Sequence, residues 1–147
     1  MSLYDLYLDV ILDHNKAPRN FGVLEPCSHS AAGNNPLCGD ALVIYLSMAD
    51  GRVEDLRFDG SGCAISVSSA SIMSETVKGR TRAEIDQLFE GFHGMVTGQT
   101  ASVGEETAEK LEVFAGVSEF PARVKCASLA WHTLQAALAG SGDVTTE

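Results

Sequence analysis

Three cysteines and an aspartate have the types and settings of a metal-binding set. The stretch Asn35-Pro36-Leu37-Cys38-Gly39-Asp40 delivers a thiol and a carboxylate two residues apart in a turn at the mouth of a strand. Pro36 fixes one backbone dihedral and Gly39 relaxes another, so the chain can fold back until the Cys38 sulfur and an Asp40 oxygen face one point. Cys63 follows Gly60-Ser61-Gly62, where a strand gives way to a helix, and Cys126 sits in Arg123-Val124-Lys125-Cys126-Ala127 near the start of the last helix. Three sulfurs and one oxygen suit tetrahedral zinc. A purely structural zinc knot prefers Cys or His ligands in close CxxC pairs, whereas this sequence has no such pair and includes a hard oxygen donor. The set is therefore read as exchangeable. Three thiolates and a carboxylate around a dication leave a net charge of about −2, which a partly buried site tolerates only with cations or hydrogen-bond donors nearby. Arg123 and Lys125 are the candidates, and the planar fork of Arg123, about one turn before Cys126, suits the Asp40 carboxylate.

A β-hairpin is what must bring these groups together. Leu42, Ile44, Leu46 and Met48 alternate along one face from Ala41 to Met48, Asp50-Gly51 is a strong two-residue hairpin signal, and a second strand returns through Arg52 to Asp59. Asp40 opens the first strand and Cys63 follows the second, so antiparallel pairing sets them side by side. Val53 is out of phase with Leu56 and Phe58, which predicts a bulge near Glu54-Asp55. The Cys63 helix is expected to run to about Val77. It is rich in serine (Ser66, Ser68, Ser69, Ser71, Ser74), so packing through Ile65, Ile72, Met73 and Val77 must hold it, with Gly79 as its stop.

The remaining elements follow from periodicity. Leu3, Leu6, Tyr7, Val10 and Ile11 predict an amphipathic first helix capped by Ser2 and Asp5, with His14 at its C-terminal end favoured by the dipole, and Pro18 closes the stretch. Phe21 to Asn34 reads as an irregular strand. Cys27 and His29 lie on one face of it, but no further ligand type is near them. Thr81 and Glu84 form a capping box ahead of Ile85, Leu88 and Phe89, and Gly91, Gly94, Gly98 and Gly104 then predict a loop-rich stretch with His93 exposed in it. A short helix near Glu105 to Ala115 turns Leu111 and Phe114 inward and stops at Gly116. The last helix, from about Ala122 to Ala139, carries Val124, Ala127, Trp131, Leu134 and Leu138 as its core stripe, with Cys126 beside it and His132 on the surface. From Gly140 the chain reads as frayed.

The 147 residues suffice for one domain spanning 1–147, and 45% apolar residues bury a core without disulfide staples. Ten Lys and Arg against twenty Asp and Glu give a formal charge of −10, which repels phosphate backbones and argues against nucleic acid or an anionic membrane as partner. Asp5 and Asp9 interrupt the first apolar run and no stretch approaches about 20 apolar residues, so a cytoplasmic protein is expected, whose four widely spaced thiols bind metal or react.

Read together, Leu6-Tyr7 through Asp13-His14 to Pro18-Arg19-Asn20, Asn35 to Asp40, Gly60 to Cys63, and Arg123 to Trp131 resemble the SufU branch of the IscU/NifU-N iron–sulfur cluster assembly proteins. Cluster scaffolds of the IscU type carry a histidine before the third cysteine and a double proline upstream, where this sequence has Lys125 and Phe120-Pro121-Ala122. The resemblance implies an α+β fold with a three-stranded antiparallel sheet packed against helices and a metal site at one end. It implies Zn2+, or alternatively iron or a [2Fe-2S] cluster, on Cys38, Asp40, Cys63 and Cys126. It further implies persulfide sulfur taken from a pyridoxal-phosphate cysteine desulfurase and passed to downstream iron–sulfur assembly proteins. Cys38, the only one of the three thiols in a turn, is then the sulfur acceptor, freed when a partner histidine takes its place. A [2Fe-2S] scaffold and a structural zinc adaptor that activates the desulfurase are the competing readings.

Overall fold

The computed structural model describes residues 3–100, 103 and 106–145. Helix α1 (Leu3–Lys16) leads into strands β1 (His29–Asn35), β2 (Asp40–Ala49) and β3 (Arg52–Ser61). Helices α2 (Ala64–Val77) and α3 (Arg82–Val96), a 3₁₀ segment (Glu106–Glu119), helix α4 (Pro121–Ala139) and a two-residue strand β4 (Val144–Thr145) complete the α+β fold. The expected Ser2 cap, Gly104 and the Glu105 helix start lie outside the described residues.

The sheet order is β3-β2-β1-β4, with β1, β2 and β3 antiparallel and β4 parallel to β1. Four strands thus replace the three expected, because the chain that read as frayed is turned back after α4 by Gly140 and Gly142 at φ 65° and 89° and pairs with the edge of β1. The β2–β3 turn is as the sequence requires, with Asp50 and Gly51 at φ 54° and 76°. Ser47 faces Asp55 but Met48 faces Val53, so Glu54 is the extra residue of a bulge that turns Val53 into the core. The segment before β1 is a strand only from His29. Pro26 lacks a ladder donor, and Phe21 makes one isolated bridge to Phe58.

Leu42, Ile44, Leu46, Val53, Leu56 and Phe58 form the inner face of the sheet, and Ile72, Met73 and Val77 of α2 belong to the same buried cluster. A further set of rings extends it: Trp131 of α4 stacks on Phe92 of α3 at 4.8 Å, and Phe114 of the 3₁₀ segment meets Phe92 edge-on at 6.0 Å. Ala127, Trp131, Leu134 and Leu138 of α4 are buried as their stripe predicts, but burial continues round the helix and takes in Cys126. Two glycine readings change. Gly91 and Gly94 lie inside α3, which runs to Val96, because a Cβ at Gly91 would collide with the carbonyl of Val103 and the glycine lets the returning chain lie against the helix. Gly116 does not end the 3₁₀ segment, which continues to Glu119, although Leu111 and Phe114 are buried as expected.

The serines of α2 explain how a helix of low propensity is held. All five are buried, and besides Ile72, Met73 and Val77 three of them, Ser69, Ser71 and Ser74, tie α2 to its neighbours. Ser69 Oγ donates to the Ala127 carbonyl of α4 at 2.7 Å. Asn20 Nδ2 donates to Ser74 Oγ at 2.9 Å, and Ser71 Oγ accepts the Arg19 N–H at 2.9 Å. Each such bond contributes about 0.5–1.5 kcal/mol net, and losing one partner costs more because the other is left buried and unpaired.

His14 is the centre of this seam and not the cation at the helix dipole that its position suggested. It is fully buried, with Nδ1 2.6 Å from Ser71 Oγ. That oxygen also accepts from the Arg19 N–H, and burial disfavours the imidazolium, so the ring is neutral. Burial, then the positive charges of Lys110 and Arg19, push its pKa down to about 4 against the opposing pull of Glu75 and Asp13. The unfolded chain, with an ordinary histidine near 6.5, binds more protons between these values, so folding stability is full above about pH 6.5 and falls as pH drops toward 4. Urea unfolding across pH 7 to 4 should therefore show a loss that His14→Gln, neutral throughout, reduces. Parallel pH dependence in the two proteins would remove His14 as its source.

Candidate metal centre

The turn between β1 and β2 carries the site. Asn35 ends β1 and pairs with Asp40, which opens β2, and Gly39 makes the connection at φ 71°. The register places Ala41 opposite Ser61, so the open end of the β2–β3 hairpin delivers Gly62 and Cys63 beside Asp40. Cys63 then serves as N-cap of α2. A Cβ on Gly62 would sit 2.6 Å from Asp40 Oδ1, so glycine is what lets the carboxylate approach the helix start.

Asp40 is fully buried and held on both oxygens. Oδ1 accepts the Cys63 N–H at 2.8 Å, and Oδ2 accepts from Asn35 Nδ2 at 2.9 Å. The first bond is the use of a helix N-terminus to hold a carboxylate. From α4, the buried Cys126 places Sγ 3.0 Å from Cys38 Sγ, and Asn35 Nδ2 lies 3.5 Å from the Cys126 sulfur. Ligand atoms of Cys38, Asp40 and Cys126 all lie within 4.8 Å of one another, the one such group among the described residues. Cys63 is outside that mutually close group, but its thiol interacts with Cys126.

The electrostatics suit a bound cation. Burial first, then hydrogen bonds with the Cys38 and Cys63 thiols and the charges of Cys63 and Asp40, push the Cys126 pKa well up, so without metal Cys126 is a neutral thiol. Arg123 lies near the site thiols, and Cys126 first, then Cys63 and Cys38, raise its own pKa. The structure thus gives Arg123 to a thiol, while Asp40 takes its bonds from Asn35 and Cys63. Lys125 is exposed on α4. Sulfurs 2.3 Å from a tetrahedral ion stand about 3.8 Å apart, so Cys38 and Cys126 would have to part by less than about 1 Å to share one. The donor set and its spacing fit a thiophilic dication of zinc type.

The other candidates lie apart. His132 is half-buried and not on the surface as expected; it packs edge-on to Phe89 at 5.3 Å, and burial followed by the nearby His93 lowers its pKa. His93 is exposed as expected but belongs to α3 and not to a loop. Cys27 is half-buried, and His29 Nδ1 pairs with Ser28 Oγ at 2.7 Å. Asn35 is the residue that sequence reasoning left as a mere turn former, since Asn before Pro signals a turn whether or not its amide has other partners.

Residues 6–127 match the family described as NifU-like N terminal domain. The chain is 39% identical over 138 residues to the zinc-dependent sulfurtransferase SufU of Bacillus subtilis, covering 94% of this chain and 92% of that protein. It is 38% identical over 141 residues to the iron–sulfur cluster assembly scaffold protein IscU of Streptococcus pyogenes serotype M1, covering 96% and 87%. The crystal structure of FiSufU from Fervidobacterium islandicum AW-1 superposes with a TM-score of 0.84 at 31% identity over 93% of this chain and 99% of that one. With its cysteine and aspartate motifs on the same sheet-and-helix frame, the chain belongs to the NifU-like N terminal domain family and is of the SufU type within it.

Proposed function

We propose that this protein is a zinc-dependent sulfur acceptor in iron–sulfur cluster assembly, receiving persulfide sulfur at Cys38 from a cysteine desulfurase. The observation that carries the reading is the unequal placement of the site thiols. Cys38 is half-buried on a turn whose neighbour Leu37 is 65% exposed, whereas Cys126 is fully buried in α4 and Cys63, also half-buried, is fixed as the N-cap of α2. A thiol that receives sulfur from another protein must reach outward, and Cys38 is the one on the exposed turn. The sulfurtransferase name of the B. subtilis relative supports the same reading.

Cys38, Asp40, Cys63 and Cys126 would hold the zinc, which when bound keeps the thiols deprotonated at neutral pH. The Cys38 thiolate attacks the terminal sulfur of a persulfide carried on the partner's cysteine. A new S–S bond forms to Cys38, the partner's S–S bond breaks, and the partner's cysteine leaves as a thiolate, so the exchange has no net redox change. Arg123 contributes positive charge beside Cys126 and Cys63 during the exchange. With a formal charge of −10, the protein favours a partner that presents a basic surface. Among the described residues no helix is long and apolar enough to cross a membrane.

A [2Fe-2S] scaffold built on the same residues is the second reading, favoured by the scaffold name of the S. pyogenes relative. Metal analysis separates the two. Protein purified without added iron should be colourless with about one zinc per chain; a brown anaerobic preparation with stoichiometric iron and sulfide would establish the scaffold instead.

Cys63→Ser and Cys126→Ser should each lose the zinc and melt about 5–10 °C lower, the shift expected when a ligand present at a hundredfold excess over its dissociation constant is removed. Retained zinc in either variant would remove that residue from the ligand set. Cys38→Ala should still bind the desulfurase without stimulating its turnover, and peptide mass mapping after a single transfer should place the added sulfur on Cys38. Sulfur mapped chiefly to Cys63, Cys126 or Cys27 would refute the assignment.

A further inference from the structure

Asn35 is fully buried where β1, β2 and α4 meet at the site. It is the last residue of β1, paired across the ladder with Asp40. Its strand is fixed on both sides, by β2 and by the β4 pairing at Gly33 and Asn34. From this base one amide nitrogen reaches two groups on different elements, Asp40 Oδ2 of β2 at 2.9 Å and Cys126 Sγ of α4 at 3.5 Å. The amide orientation is chemically determined, because a carboxylate is an acceptor only and must face the NH₂ end.

These contacts make the anchoring of the four candidate ligands unequal. Asp40 is held by Asn35 and by the Cys63 backbone. Cys63 is fixed as the N-cap of α2, and Cys126 is fixed within α4, with Asn35 and Arg123 at its sulfur. Cys38 has its described side-chain hydrogen bond with the Cys126 thiol, on a turn outside any strand or helix.

We propose that Asn35 is a positioning residue that locks Asp40 and Cys126 to each other before metal arrives, and thereby makes Cys38 the ligand that detaches. The proposal rests on reading the cluster as a single metal site. Its chemistry is that of an outer donor which orients inner ligands, whose removal commonly weakens metal affinity about 10- to 100-fold. A space-filling role would be served equally well by leucine, which has nearly the shape of asparagine without its donors.

The test compares wild type, Asn35→Ala and Asn35→Leu in three measurements. Zinc affinity is read by competition with a chromophoric chelator, ligand geometry by the absorption spectrum of the cobalt-substituted protein, and detachment by the ratio of Cys38 to Cys126 alkylation in the zinc-loaded protein. Both variants should bind zinc about 10- to 100-fold more weakly, shift the cobalt spectrum and lose the preference for alkylation at Cys38. Wild-type affinity, spectrum and alkylation ratio in Asn35→Leu would overturn the proposal. A wild-type protein that takes up neither zinc nor cobalt would instead overturn the metal-site reading on which it rests. Should a variant fail to fold, the metal-free wild type still decides by NMR. The Asn35 side-chain amide protons should exchange slowly with solvent, and rapid exchange would show that the lock is absent.

Discussion

The structure turns on a buried carboxylate. Removing the Asp40 charge from water costs several kcal/mol unless donors replace the lost hydration. Two donors do so, one from the end of β1 and one from the start of α2. That requirement constrains the local sequence far beyond Asp40 itself. Residue 62 can carry no Cβ, residue 35 must offer a donor of the right length, and the β2–β3 register must set Ala41 against Ser61 so that Cys63 arrives at the carboxylate. A slip of one residue in β2 would turn Leu42, Ile44 and Leu46 outward together with the site, so core and site enforce the same register.

Two kinds of buried polar structure stand on opposite parts of α2. Along the helix, Ser69, Ser71, Ser74 and a neutral His14 join α1, the Arg19-Asn20 turn and α4 through uncharged hydrogen bonds. At its N-terminus the groups are acidic and crowded, and burial first, then the neighbouring thiols and the charges of Cys63 and Asp40, push the Cys126 pKa up. The first arrangement contributes stability and a fixed packing. The second holds its charge balance open, which is the chemical condition for taking up a dication.

What could be read in advance was what depends on neighbours in the chain. The Asp50-Gly51 turn, the Val53 phase change that marks the Glu54 bulge, and the Thr81–Glu84 box all follow from local rules and are all found. The hairpin also brings Cys38, Asp40 and Cys63 to one end by local pairing, and the motif around Cys126 flagged the third thiol. What escaped depends on distant partners. Gly91 reads as a breaker until Val103 is seen lying against it, His14 reads as a cap until Ser71 is seen below it, and β4 exists only because β1 has an open edge. The amide of Asn35 belongs with these, since its role is defined by a cysteine on the last helix.

The unequal hold on the four candidate ligands bears on what such a site is suited to do. A structural metal site gains most when every ligand is fixed, because each mobile ligand adds an entropic cost on binding and a route for loss. Here three of the four residues are built into strand or helix termini or a helix body, and the fourth lies on the turn between β1 and β2. Release of Cys38 need not disturb Asp40, because that carboxylate is held by Asn35 and by the Cys63 N–H, neither of which involves Cys38. A thiol can therefore leave and return while its neighbours keep their places. That property suits the proposed transfer of sulfur through Cys38 better than permanent cross-linking of the fold, and it follows from which donors reach the Asp40 carboxylate.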